Sequence, residues 1–205
     1  MSTRDSHPRG ILGYGAIGRQ CARLGSALGM DIHAFTLHER ATPASRHDSS
    51  FTEPGLGDPE GTLPSRWFHG REQLDDFLSG VDLLVLTMPL TKLTTGLISR
   101  HELQILGKRK AFLSNIARGP VVNTDDLANA LNDGTLGGAA LDVTDPEPLP
   151  KEHPLWKAKN VIITPHVSGN SMQYNERVLK ILTENLRRRA SGLDMINKVN
   201  KTLGY

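Results

Sequence analysis

The sequence has little of several things, and each lack excludes a class of protein. Cys21 is the single cysteine among 205 residues, which excludes an internal disulfide framework and a multi-cysteine zinc site. No metal centre is expected. Long hydrophobic runs are also missing. The longest, residues 81–90, is too short to span a bilayer. Charge of one sign is missing too: 24 Lys and Arg stand against 22 Asp and Glu, a net charge of +2. The sequence pI of 8.8 rests on that small excess and implies no clustered basic surface of the kind nucleic acid requires. The N-terminal Met1-Ser2-Thr3-Arg4-Asp5-Ser6-His7-Pro8 is polar and has no apolar core of a secretory signal. The expectation is a cytoplasmic globular protein with neither a membrane nor a nucleic acid as partner.

What is present is alternation. Short apolar runs recur at Gly10-Ile11-Leu12-Gly13, Ile32-His33-Ala34-Phe35, residues 81–86, Ala111-Phe112-Leu113-Ser114-Asn115, residues 139–143 and Val161-Ile162-Ile163. Such runs suit parallel strands whose two faces are both covered. Helical patterns lie between them. Residues 16–28 carry Ile17, Cys21, Leu24 and Leu28 at helical spacing, with Cys21 placed on the inward side. Ser99 and Glu102 have the spacing of a capping box. Residues 124–131 begin with Asp125 and Asp126, which suit a helix N-terminus, and Gly134 supplies a stop. Residues 171–190 read as one long helix with Val178, Ile181, Leu182 and Leu186 inward. Residues 37–65 break the pattern: they are rich in Pro, Gly, Ser and Thr and have no periodicity. A loop that long is functional or mobile. The reading is an α/β fold, a doubly wound parallel sheet. Trp67 and Trp156 read as packing anchors.

Gly13-Tyr14-Gly15-Ala16-Ile17-Gly18 is a GxGxxG that follows a strand and opens a helix, the context a dinucleotide-binding, Rossmann-like turn needs. Gly13 permits the tight turn, Gly15 lets a pyrophosphate reach the backbone, and Gly18 lets helix and strand pack closely. The next strand ends at Thr36, where NAD binding usually calls for a carboxylate on the ribose 2′-hydroxyl. His38, Arg40 and Arg46 follow. A missing carboxylate followed by cations suits a 2′-phosphate, so NADP is favoured over NAD.

Further along, Asn115-Ile116-Ala117-Arg118-Gly119, residues 140–150 (ALDVTDPEPLP) and Thr164-Pro165-His166 occur in order after the glycine motif. Together these motifs resemble the D-isomer-specific 2-hydroxyacid dehydrogenases, from Gly10 nearly to the end of the chain. The resemblance implies Arg118, Glu147 and His166 as catalytic residues and NAD or NADP as cofactor. It implies that Asp142 holds the nicotinamide carboxamide, that Thr87, Met88 and Pro89 lie near the adenosine, and that Ile116 and Ala117 lie near the nicotinamide ribose. It also implies dimers formed through the cofactor domain. His7, His33, His38, His47, His69, His101 and His153 have no comparable ordered context and read as ordinary.

The chemistry wants these residue types. Each of the three follows a separate predicted strand, and in an open parallel sheet all C-terminal strand ends face one crevice. Reduction of a small 2-keto acid needs a hydride from the nicotinamide and a proton for the new alkoxide. Histidine can donate that proton near neutral pH. A carboxylate partner favours imidazolium and fixes its tautomer. Arginine's rigid fork grips a substrate carboxylate. A related formate dehydrogenase branch has Gln where Glu147 stands, so Glu147 argues against it.

By resemblance the family has two domains, and nine residues precede Gly10 here. The expected division is a dinucleotide-binding domain over 9–168 and, over 169–205, a helix and a return strand near residues 195–200 that represent an incomplete substrate domain. The expected function is hydride transfer between NAD(P)H and a glyoxylate- or hydroxypyruvate-like acid. The alternative is a non-catalytic NAD(P)-binding module of the corepressor kind.

Overall fold

The computed structural model describes residues 8–201. The polar N-terminal segment with His7, and residues 202–205 of the return segment, lie outside them. Seven strands form one sheet: β1 (Pro8–Leu12), β2 (Asp31–Thr36), β3 (Arg66–His69), β4 (Leu83–Leu86), β5 (Phe112–Asn115), β6 (Gly138–Leu141) and β7 (Val161–Ile163). Their order is β3-β2-β1-β4-β5-β6-β7, and every pair is parallel. The helices are α1 (Ala16–Ala27), a one-turn α2 (Pro43–Arg46), α3 (Leu74–Ser79), α4 (Arg100–Gly107), α5 (Thr124–Asn132) and α6 (Tyr174–Ala190). This is the doubly wound α/β architecture.

The right-handed rule for parallel crossovers decides which face each connection covers. From β1 the chain moves outward to β2 and β3, so α1 and the long β2–β3 connection share one face. From β3 it crosses back to β4 and on to β6, so α3, α4 and α5 lie on the other. The side chains divide accordingly. Ile11, Ala22, Ile32 and Ala34 cluster with Tyr14 under α1. Leu12, Phe35, Phe77, Leu84, Leu103 and Leu113 belong to the larger core. Adjacent residues of β1, Ile11 and Leu12, thus point to opposite cores, as the two-residue period of a strand requires.

Local signals hold at the helix ends. Glu102 accepts from both the backbone N–H and the hydroxyl of Ser99 at 3.1 and 2.8 Å, closing the start of α4. Asn123 Oδ1 accepts from Asp126 N–H at 3.0 Å and caps α5. Gly134 follows α5 with φ +73°.

Four expectations need correction, and one strand is new. First, α1 buries Gly18, Arg19, Ala22 and Gly25, whereas Ile17, Leu24 and Leu28 are exposed. The sheet-facing side is marked by small residues because the contact is close: a Cβ on Gly25 would stand 2.9 Å from Ile32 Cδ1. Cys21 is half-buried, packed beside that core with Leu63 and Trp67. Second, Val178, Leu182 and Leu186 of α6 are exposed and Ile181 is half-buried. None of the helix is buried, because no described element covers it. Third, residues 195–200 form no strand among the described residues. A strand needs a neighbour for its ladder; here the backbone of Ile196 is held by the Asn185 side-chain amide. Fourth, Trp156 is half-exposed, with its indole N–H donating to Pro150 O at 2.8 Å. The new strand is β3 (Arg66–His69). It is an edge strand with mixed burial that pairs only with β2.

Candidate active site

The glycine turn sits where the strand order reverses, between β1 and β4, which is where open parallel sheets bind ligands. Each glycine has its own reason. Gly13 has φ +103°, and a Cβ there would stand 2.7 Å from Met88 N. The Thr87 hydroxyl donates to Gly13 O at 2.6 Å. A Cβ on Gly18 would meet Gly13 O at 2.2 Å. At Gly15 a Cβ would meet nothing within 4 Å. Gly15 therefore serves no packing need; it leaves the backbone open to an approaching ligand. It is also the N-cap of α1, with no side-chain cap and no acidic residue in the first turn. The free N–H groups there fit a pyrophosphate.

The other residues expected around the cofactor divide into two groups. Gly15, Ala16, Ile17, His38 and Pro89 are exposed, and Thr36, Arg40, Thr87 and Ile116 are partly so. Met88 and Ala117 are buried, Met88 beneath the glycine turn and Ala117 with its N–H on Asn115 Oδ1 at 3.1 Å. Tyr14 turns its side chain away. It is buried edge-on against Trp67, with ring centroids 5.0 Å apart, and its hydroxyl donates to Asp58 at 2.8 Å. Burial and the Asp58 carboxylate push that phenol far above its ordinary range. Only the backbone of Tyr14 can serve a ligand. The Thr36 hydroxyl donates to His38 O at 2.7 Å, which turns the chain sharply after β2.

At the other end of the sheet, Arg118, Glu147 and His166 follow β5, β6 and β7, three adjacent strands. The His166 ring nitrogen Nδ1 lies 2.7 Å from Glu147 Oε1. Their side chains are 48% and 41% exposed, so a ligand can reach both. Nε2 of His166 has no partner among the described residues. The Arg118 turn packs directly on the segment leading to Glu147: a Cβ on Gly119 would stand 1.8 Å from Thr144 O. Arg118 is exposed, and its Nη1 donates to Ala117 O at 2.6 Å. Asn115, the first residue of the motif that contains Arg118, shapes this turn by donating from its amide to Arg118 O at 3.1 Å.

Asp142 is buried, at 4% exposure. Its carboxylate accepts from the Thr164 hydroxyl at 2.5 Å and from the N–H groups of Val167 and Ser168 at 2.9 Å each. Its backbone carbonyl accepts from His166 N–H at 2.9 Å. Burial alone would raise its pKa, but these donors win and hold the carboxyl far below its ordinary range. Asp142 thus braces the His166 turn, whose φ of +55° is uncommon for a non-glycine residue. Val167 and Ser168 escape a sequence reading because they donate through the backbone, which leaves no trace in residue type, whereas Thr164 belongs to the Thr164-Pro165-His166 motif and donates through its hydroxyl.

A cavity of about 410 Å³ opens beside this region, lined by Thr95, Asn123, Asp125, Asp145, Pro146 and His153 among others. Asp75, His101 and Glu102 also gather, but Glu102 is taken up by Ser99 and by Arg71 at 2.7 Å. No helix of the described residues is long and apolar enough to cross a membrane.

A parallel sheet with an uncapped glycine turn at its switch point defines a dinucleotide-binding α/β domain. The family model for the D-isomer specific 2-hydroxyacid dehydrogenase, NAD binding domain, matches residues 64–168, and the chain belongs to that family. A hydroxypyruvate reductase of Blautia hydrogenotrophica is 32% identical over 96% of this chain and 54% of its own length. The crystal structure of a D-isomer specific 2-hydroxyacid dehydrogenase from Xanthobacter autotrophicus Py2 in complex with NADPH superposes with a TM-score of 0.79 at 32% identity, covering 97% of this chain and 72% of that one. An NADPH-dependent glyoxylate/hydroxypyruvate reductase from Sinorhizobium meliloti, in complex with NADP, gives a TM-score of 0.76 at 28% identity, over 100% of this chain and 60% of the other. The chain spans about half the length of the curated relatives it matches.

Proposed function

We propose that this chain carries the dinucleotide-binding and proton-donating part of an NAD(P)H-dependent reductase of small 2-keto acids of the glyoxylate or hydroxypyruvate kind. The observation that carries the reading is the 2.7 Å bond between His166 Nδ1 and Glu147, on the same sheet edge as the uncapped glycine turn. Nicotinamide, when bound, supplies the hydride. Glu147 holds the Nδ1 proton and so fixes the tautomer, leaving Nε2–H of the imidazolium as the acid for the substrate oxygen. Arg118, exposed after β5 on the same strand-end edge, offers its fork to the substrate carboxylate. Asp142 serves mainly by holding the turn that carries His166, with one carboxylate lone pair left for a carboxamide. The relatives' names support the substrate class.

NADPH is the favoured cofactor. Thr36 stands where a carboxylate would hold a free 2′-hydroxyl, Arg40 follows it, and similar structures hold NADPH or NADP. The half exposure of His166 and Glu147 supports a second reading, a dinucleotide-binding module without turnover, because positioning and electrostatic effects weaken in an open site. The test mixes the purified chain with NADPH or NADH and a panel of 2-keto acids and follows the loss of reduced-nicotinamide absorbance. Turnover that disappears in His166→Ala while cofactor binding persists supports the reductase. Tight binding with no turnover on any acid supports the module. NADH binding at least as tightly as NADPH overturns the cofactor preference.

A further inference from the structure

The connection between β2 and β3, residues 37–65, is long and irregular, yet parts of it are buried. The right-handed crossover lays it over α1, and there it is fastened to the glycine motif itself. Arg19, the residue after Gly18, is 5% exposed. Its Nη1 donates to Asp58 O at 2.5 Å and its Nη2 to Arg46 O at 2.7 Å, and its Nε lies 3.4 Å from Asp48 Oδ2. Its guanidinium also stacks over the Tyr14 ring at 5.0 Å. Asp58, likewise buried, accepts from the Tyr14 hydroxyl at 2.8 Å and from the N–H groups of Thr62 and Leu63 at 3.0 and 3.1 Å. Gln20 accepts from Gly57 N–H at 2.7 Å. A buried charged residue on α1 and another on the connection are costly unless bonded; here Arg19 and Asp58 each have several partners, all within this clamp.

The clamp continues to the cation nearest the end of β2. Trp67, edge-on to Tyr14, lies under the Arg46 guanidinium at 5.5 Å. Arg46 in turn donates from Nε to Arg40 O at 2.8 Å and from Nη2 to Ala41 O at 3.3 Å. Arg46, one of the cations that the sequence offers for a 2′-phosphate, is therefore a cross-link. Arg40 differs: one donor reaches Ser45 O at 2.5 Å, and its other donors have no partner among the described residues.

We propose that residues 40–65 form a preorganised wall on the ribose-2′ side of the dinucleotide crevice. Tyr14, Arg19 and Asp58 lock it to the glycine turn, so that Arg40 is held where a 2′-phosphate arrives. The inference rests on the dinucleotide reading above and deepens it. Tyr14 and Asp58 are positioning residues: they act on selectivity through the wall, not by touching the phosphate. Preorganisation matters because a cation that must first be ordered gives up part of its binding energy.

The test measures dissociation constants of NADPH and NADH by titration of the full chain, for wild type, Asp58→Asn, Tyr14→Phe and Arg40→Ala. The wild type is expected to prefer NADPH. In Tyr14→Phe and Asp58→Asn the NADPH affinity should fall about tenfold more than the NADH affinity, as expected for one charged contact loosened. Arg40→Ala should shift the ratio in the same direction by at least as much. Tyr14→Phe keeps the ring and its packing, so it carries the test if Asp58→Asn fails to fold. Equal weakening of both cofactors would mark the clamp as merely structural and overturn the inference while leaving the dinucleotide reading intact. An unmoved ratio in Tyr14→Phe would do the same. A wild type that binds neither dinucleotide would overturn both.

Discussion

Two ends of one row of side chains differ sharply. Ile11, Val85, Ser114, Ala140 and Ile162 are successive partners across β1, β4, β5, β6 and β7, so they share the α1 face. Ile11 is 1% exposed and Ile162 is 62% exposed. The β1 end lies under α1 and the clamped connection. The β7 end has no crossover over it, because α3, α4 and α5 all take the opposite face. Handedness alone therefore makes one half of this face a finished interior and leaves the other open. The residues named in the proposed function divide in the same way. Around the glycine turn, Tyr14, Arg19 and Asp58 are buried and bonded; at the far end, Arg118, Glu147 and His166 stay within reach of solvent.

The largest effect is expected in the core on the other face of the sheet, where Phe77 packs against Phe35 and Phe68. Phe77 is fully buried, and Phe77→Ala should cost about 3–5 kcal/mol of unfolding free energy by denaturant titration. Next come the glycines. Gly18→Ala places a Cβ 2.2 Å from Gly13 O and should cost about 1–3 kcal/mol. Gly15→Ala, in open space, should cost under about 1 kcal/mol, yet weaken NADPH at least as much as Gly18→Ala does. Calorimetry paired with cofactor titration separates the two. A large stability loss at Gly15 would mean that the turn is built for packing rather than for a ligand.

A smaller effect comes from pH. Burial lowers the pKa of His33, partly offset by Asp31, so the unfolded chain takes up that proton first. Stability should then be full above about pH 6.5 and fall as pH drops below it, and His33→Gln should flatten that slope. Asp142, whose carboxyl is held low, adds a second loss only below about pH 4. Leu182 is half-exposed on α6, and Leu182→Ser should shift stability by no more than about 0.5 kcal/mol. A loss of core size there would show that α6 is covered in solution.

Much of this was legible in the sequence, and the reasons are specific. The six apolar runs mark six of the seven strands because strands with helices on both faces are apolar throughout; β7 keeps the apolar run although one of its faces is open. The glycine motif and the Ser99–Glu102 cap are readable because each depends on residue type at fixed spacing, whereas Arg118, Glu147 and His166 come from the resemblance of the motifs that carry them. The edge strand β3 escaped because Arg66 and His69 dilute its apolar pattern. The inward side of α1 was misread because close packing on the sheet selects glycine and alanine, which carry no hydrophobic signal. The clamp was invisible for a different reason: Asp58 and Arg19 are an ordinary loop acid and helix base until the fold brings them together.

The proposed reduction depends on His166 donating its proton beside a bound dinucleotide. The most direct measurement follows NADPH binding and NADPH oxidation with hydroxypyruvate, side by side, in wild type and in His166→Ala. The account predicts equal binding in both and oxidation slowed about 10²–10⁴-fold in the variant. Oxidation at the wild-type rate in His166→Ala would contradict it.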